Sequence, residues 1–184
     1  MSEQQRCWWC GDDPVYVAYH DKVWGRPMHG DRELFEMLTL ESFQSGLSWI
    51  TILRKQEGFH RAFGGWDIEK VAAYGDADVE RLMNEAAIVR NRAKIESTLA
   101  NARAVLALHA AGETLDELLW SFAPDPPRAA PRAREDLQPT TPESAAMAKE
   151  LKRRGFRFVG PTTAYSLMQA AGLVNDHLAD CAFR

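Results

Sequence analysis

An all-α fold is predicted by three observations. Apolar side chains recur at a 3.6-residue period through residues 90–111, Gly and Asp punctuate the chain at helix-sized intervals, and no segment alternates apolar and polar residues as a half-buried strand would. At 184 residues and 46% hydrophobic content, the chain is read as one domain over 1–184 with enough apolar volume for a core.

Each element has its own warrant. Residues 31–47 open on Asp31 as N-cap and carry Leu34, Phe35, Leu38 and Leu40 at helical spacing before Gly46. A second helix starts after Ser48, with Ile50, Ile52 and Leu53, and is expected to fade near Gly58. Residues 67–74 and 76–83 read as two short helices, each beginning at an Asp, with Gly75 ending the first. Ile95, Leu99, Ala102, Val105, Leu106 and Leu108 define the longest helix, stopped by Gly112. Thr114 and Glu117 match a capping box for a helix through Phe122. Residues 123–142 hold six of the nine prolines and must be loop, since proline removes donors and fixes φ. A pair of helices follows at 143–154 and 161–171.

Residues able to hold a metal sit at both ends of the chain: Cys7, Cys10 and His20, then His177 and Cys181. Four Cys and His donors around one ion make a closed, structural site of the zinc type. The spacing of His177 and Cys181 puts them on one helical face or in one turn, whereas three N-terminal candidates compete for two places. Ordinary buried thiols, or a disulfide with one Cys left over, are the competing readings.

Two further features carry chemistry. The turn Arg154-Gly-Phe-Arg157-Phe-Val-Gly160-Pro-Thr162 joins the last two helices and resembles a helix-hairpin-helix element. In such a hairpin the backbone N–H groups at the second helix's start can hold a DNA phosphate. Lys152, Arg153 and Arg157 would add charge there, and a second basic run lies at residues 90–94. An ordinary helix corner is the plainer reading. Against that, four of the six tryptophans fall in the first fifty residues, with Tyr16, Tyr19 and Glu41, the one acid in the otherwise apolar run of residues 37–43. Aromatic clusters are most often core, yet a carboxylate beside ring faces also suits a flat cationic ligand, such as an alkylated purine. The net charge of −4 argues against a protein that coats nucleic acid, leaving local patches. No apolar leader opens residues 1–7 and no run is long enough to span a bilayer, so a soluble, cytoplasmic protein without membrane contact is expected.

Several strings together resemble the 3-methyladenine DNA glycosylase I family: Asp13-Pro-Val-Tyr16-Val-Ala-Tyr19-His20-Asp-Lys-Val-Trp24-Gly25, Leu40-Glu41-Ser-Phe-Gln44-Ser-Gly46-Leu-Ser-Trp49, the hairpin turn, and Met168-Gln-Ala-Ala-Gly172-Leu-Val-Asn-Asp176-His177. The resemblance runs from Cys7 to Cys181. It implies an all-helical helix-hairpin-helix glycosylase fold in which one structural Zn2+, held by Cys7, His20, His177 and Cys181, joins the two ends and leaves Cys10 outside. It further implies a base pocket with Glu41 and Tyr19 as hydrogen-bonding partners, Trp49 as stacking wall, and Trp9 and Tyr16 as lining. Gly160, Thr162 and Arg157 would hold the DNA.

The activity implied is hydrolysis of the N-glycosidic bond of 3-methyladenine by base flipping in alkylated double-stranded DNA, releasing the free base and an abasic site. Glu41 is the candidate catalytic residue, whether by activating water, steadying an oxocarbenium-like centre, or reading the base. No lysine stands out as a Schiff-base nucleophile, so a monofunctional enzyme, acting as a monomer, is expected. The competing classes are a zinc-stapled DNA-binding module without activity and a small-molecule hydrolase with a catalytic zinc, which would need an open coordination position.

Overall fold

Asp13-Pro14 starts a helix that hydrophobic periodicity does not reveal. In the computed structural model, which describes residues 5–184, Asp13 accepts from the backbone N–H of Val15 at 2.9 Å and Tyr16 at 3.3 Å. Pro14 takes the first position of α1 (Pro14–Lys22). The pair suits a helix start because the first turn has no partner for that N–H and proline's φ is already helical. Periodicity fails here because α1 serves two sites at once, presenting His20 to one and Tyr16 and Tyr19 to the other.

The core is organised on α2 (Asp31–Gln44), which buries Leu34, Phe35, Leu38, Leu40 and Phe43. It contacts α3 (Trp49–Ala62), α6 (Arg92–Ala110), α7 (Leu115–Trp120) and α9 (Pro161–Ala170). Phe43, Phe59, Phe63 and Trp66 stack through this core with neighbouring centroids 4.7–6.3 Å apart. Asp31 does not cap α2. Gly30 holds that place, and the Asp31 carboxylate instead accepts from the N–H groups of Leu115 at 3.0 Å and Asp116 at 2.9 Å, at the start of α7. Open N–H groups on a neighbouring helix attract a carboxylate as well as those on its own.

Helix α3 does not fade at Gly58. A Cβ there would meet the Ala87 carbonyl oxygen at 2.5 Å, so the glycine is what lets the 84–88 turn lie against the helix, and that contact offsets its low helix propensity. Asp67 caps α4 (Ile68–Ala72) as expected, whereas Gly75 rather than Asp76 occupies the cap of α5 (Asp76–Met83). The Thr114–Glu117 capping box at α7 is present in both directions. Pro142 is the first residue of α8 (Pro142–Arg153) and not the last of the loop, because Thr141 accepts from Ser144 N–H and starts the helix one residue early. Helices α8 and α9 pack on each other.

After α9 the chain turns back on the N-terminal segment. Gly25 N–H donates to the Gln169 carbonyl (3.0 Å), Met28 to Ala171 (2.9 Å), and Ala182 to Gln5 (2.9 Å). Gly172, at φ +74°, permits this crossing, since a Cβ would lie 2.4 Å from the Arg26 carbonyl carbon. Gly172→Ala is expected to cost on the order of 2–4 kcal/mol in urea denaturation; an unchanged midpoint would mean the crossing can spread at little cost.

No strand is present among the described residues, and no helix there is long and apolar enough to cross a membrane. The reading of residues 1–4 as free of an apolar leader lies outside the described residues.

Candidate active site

Two sites share a wall. In the first, Cys7, His20, His177 and Cys181 are all buried, with one donor atom from each within 4.8 Å of the others. Cys181 Sγ lies 3.6 Å from His20 Nε2 and 3.4 Å from His177 Nδ1, and Cys7 Sγ lies 3.7 Å from His177 Nδ1. A tetrahedral ion with bonds of about 2.3 Å to sulfur and about 2.1 Å to nitrogen separates such atoms by roughly 3.6 Å. Three of the donor pairs already stand at that separation, and the set fits a closed metal centre. The second ring nitrogens are occupied as metal-bound histidines require: His20 Nδ1 meets Asp21 at 2.7 Å and His177 Nε2 meets the Trp24 carbonyl at 2.9 Å. Arg6 fixes Asp21 in turn through a forked ion pair. Burial pushes the Cys7 thiol up to about 12, so only a cation would hold it as thiolate. Cys10 lies outside the cluster, with its Sγ donating to the Cys7 carbonyl at 3.3 Å.

Trp9 and Trp24 form the shared wall. Trp9 stands edge-on to His20 at 5.1 Å and Trp24 to His177 at 4.7 Å, while their own rings meet at 4.8 Å. On the far side they line a pocket of about 240 Å³ that also receives Tyr16, Tyr19, Glu41 and Trp49. Tyr19 and Trp49 pack at 5.4 Å, and Trp9 and Tyr16 at 5.2 Å. All five residues expected at the base pocket are thus together. Glu41 is 5% exposed, and burial alone, with no hydrogen bond or ion pair contributing, pushes its carboxyl up to about 8. Tyr19 is pushed up by burial and by the field of Glu41. Trp49 Nε1 is buried without a hydrogen-bond partner.

The pocket also takes Trp8, Gln44, Leu137, Ser166 and Gln169, which sequence reasoning left out, as it did the pocket role of Trp24. Gln44 was within reach, lying one turn after Glu41 on α2. Ser166 and Gln169 share a face of α9. Leu137 comes from the proline-rich loop, where no local pattern marks it.

The hairpin is rigidly placed. Asn101, buried in α6, brackets Arg157 by accepting from its N–H at 2.7 Å and donating to its carbonyl at 3.1 Å. Gly160 caps α9 without a side-chain bond, leaving the first N–H groups after Pro161, including that of Thr162, free of side-chain caps. Arg157, Gly160 and Lys152 line one groove, with Ser45 of the α2–α3 turn on its other side. Arg153 does not supply free charge there. It is paired with Glu150, and Arg154 with Glu150 and Glu113, so Lys149, Lys152 and Arg157 carry the groove's positive field. The 90–94 run is likewise no patch, because Arg92 pairs with Glu80 and Lys94 is buried, donating to the carbonyls of Phe43 and Ser45.

Among the described residues the frame is all-helical, with an aromatic, acid-bearing pocket and, at the start of α9, N–H groups free of side-chain caps near basic side chains, as the helix-hairpin-helix glycosylase resemblance implies. The methyladenine glycosylase family model matches residues 9–184, and the chain belongs to that family. It is 47% identical over 178 residues to DNA-3-methyladenine glycosylase 1 of Escherichia coli, covering 96% of this chain and 95% of that protein. It is 44% identical over 177 residues to DNA-3-methyladenine glycosylase of Haemophilus influenzae, covering 96% of each. A crystal structure of 3-methyladenine DNA glycosylase I superposes with a TM-score of 0.92 at 47% identity, over 97% of this chain and 98% of that one. The Staphylococcus aureus enzyme, solved to explain 3-methyladenine recognition, superposes at 0.89 with 39% identity, over 93% and 92%.

Proposed function

We propose that this chain hydrolyses the N-glycosidic bond of 3-methyladenine in alkylated double-stranded DNA, releasing the free base and leaving an abasic site. The observation that carries the reading is Glu41, a buried, unpaired acid among aromatic rings. An empty pocket holds it largely neutral at pH 7, since burial disfavours the charged form. A base made cationic by N3 methylation supplies the missing countercharge and gives a carboxylate there a partner. Unmodified adenine offers no such gain, so the charge that makes the base a good leaving group is also what the pocket selects.

Extrusion of the nucleotide costs a few kcal/mol, less for a damaged base. Trp49, with Tyr19, Trp9 and Tyr16, repays part of this by stacking and ring-face attraction. The uncapped start of α9 at Gly160 and Thr162, with Arg157 beside it, takes a backbone phosphate. Leu47, 38% exposed on the α2–α3 turn between the pocket-lining Gln44 and Trp49, would fill the stack behind the flipped base. Lys94 is engaged with two carbonyls, which supports a monofunctional route with water as nucleophile. The four-donor cluster takes Zn2+ in a closed site that orients the segment bearing Trp9, Tyr16 and Tyr19 and takes no part in bond cleavage. Residues 1–184 act as one domain and as a monomer.

Trp49→Ala is expected to reduce excision roughly 10- to 100-fold, since stacking of a base on an aromatic is worth about 1–3 kcal/mol, with metal content and melting temperature unchanged. Loss of metal in that variant would show that wall and staple are one structure. The reading itself is tested by incubating methylated duplex DNA with the protein. Alkali-labile sites in an otherwise uncut strand are expected, and duplex binding without such sites would favour the inactive DNA-binding module.

A further inference from the structure

Charge alone leaves a selection problem, because 7-methylguanine is as cationic as 3-methyladenine in DNA and equally flat. Glu41 and the ring walls attract both. Rejecting the wrong purine needs a group that reads the edge of the ring.

Gln169, on α9, lines the pocket and donates its amide NH2 to Asp176 Oδ2 at 2.9 Å. The same oxygen accepts from the Tyr165 hydroxyl, and Asp176 is 4% exposed. A carboxylate oxygen only accepts, so the amide nitrogen must face Asp176 and Oε1 must turn the other way. Among the described residues that Oε1 receives no hydrogen bond, and it is not among the fully buried unpartnered atoms, so it keeps an exposed, unpaired acceptor on a side chain that lines the pocket.

Resting on the function proposed above, we infer that Gln169 is a specificity-determining residue whose Oε1 accepts from the exocyclic amine of an alkylated adenine and opposes the carbonyl that guanine and hypoxanthine carry at that ring position. Asp176 and Tyr165 are positioning residues that fix the amide's polarity. Glutamine can otherwise present either a donor or an acceptor by turning its amide, and a pocket that could do both would read neither purine. Facing two acceptors in a water-poor site leaves both unpaired, which is the kind of mismatch that discriminates strongly. Asp176 precedes the metal-cluster residue His177, so the segment that ties the chain's ends together also sets the pocket's hydrogen-bonding sense.

The test compares binding of free 3-methyladenine and 3-methylhypoxanthine, which replaces the amine by a carbonyl, to the purified full-length protein by quenching of tryptophan fluorescence. The natural protein is expected to favour 3-methyladenine about tenfold or more, the magnitude of one satisfied against one unsatisfied hydrogen bond. In Gln169→Met the preference should fall to within about threefold, with 3-methylhypoxanthine bound no more weakly than before. Asp176→Asn, whose amide can donate to Gln169 Oε1 and let it turn, should lower the preference likewise; should that variant fail to fold, Gln169→Met decides. A natural preference retained in Gln169→Met overturns the inference, as does a natural protein that binds the two bases alike. A protein that leaves no abasic sites in methylated DNA fails the functional reading itself, independently of how the two free bases rank.

Discussion

Glu41→Gln is expected to lower kcat/KM for 3-methyladenine release by on the order of 10²-fold, the usual loss when a group aimed at transition-state charge is neutralised in a dry site, while making the free protein more stable at neutral pH. The two effects have one cause. Burial raises the Glu41 pKa from 4.5 to about 8, so between those values the folded state binds more protons than the unfolded state, and stability falls as pH rises through that window. At pH 7 the strain is roughly 3 kcal/mol, from a shift of about 1.36 kcal/mol per pKa unit. Glutamine removes it, so the variant's stability should lose its decline between pH 5 and 8. Activity runs in the opposite sense. The carboxylate is the form that attracts a cationic base, and kcat/KM reports ionisations of the free enzyme, so the natural profile should rise with pH towards about 8 and the variant's should be flat. A variant that keeps natural kcat/KM, or one that loses stability at pH 8, would remove Glu41 from its central place.

Removal of the proposed metal is expected to have the second largest effect. The four donors are close enough to share an ion, which would tie Cys7 to Cys181 across the chain. Structural zinc contributes of order 10 kcal/mol in small metal-dependent domains; in a chain with its own helical core a loss of about 5 kcal/mol is expected, or 10–20 °C in melting temperature for this size. Cys181→Ala should reproduce it. Because Trp9 and Trp24 touch both the cluster and the pocket, excision should fall together with stability, and Trp9 fluorescence should change on chelation. Full activity in a protein shown by metal analysis to be zinc-free would contradict the staple.

What could be read from sequence divides along physical lines. Helices with one buried face, such as α2 and α6, announce themselves by period, and side-chain caps such as Asp67 and Thr114 mark their starts. Misplacements arose where a polar side chain serves a neighbour: Asp31 suits an N-cap by every local rule, yet its carboxylate sits at α7. Helix α1 hides because it has two functional faces, and only Asp13-Pro14 betrays it. The pocket shows the same division. Trp9, Tyr16, Tyr19, Glu41 and Trp49 lie in one N-terminal stretch, where their concentration drew attention. Ser166 and Gln169 arrive from more than a hundred residues away through the packing of α9 on α2, and Leu137 comes from the distant proline-rich loop. Likewise, a basic run names no partner until it is known which charges are already paired, and Arg153, Arg154, Arg92 and Lys94 all are bonded within the protein.

The central claim, that a buried acid and its aromatic walls select an alkylated adenine for excision, is tested most directly by identifying the base that leaves. Methylated duplex DNA incubated with the protein, followed by mass spectrometry of the released bases, should yield free 3-methyladenine in excess over 7-methylguanine even though 7-methylguanine is plentiful in the substrate. Release of 7-methylguanine in proportion to its abundance, or of no base at all, would contradict the account.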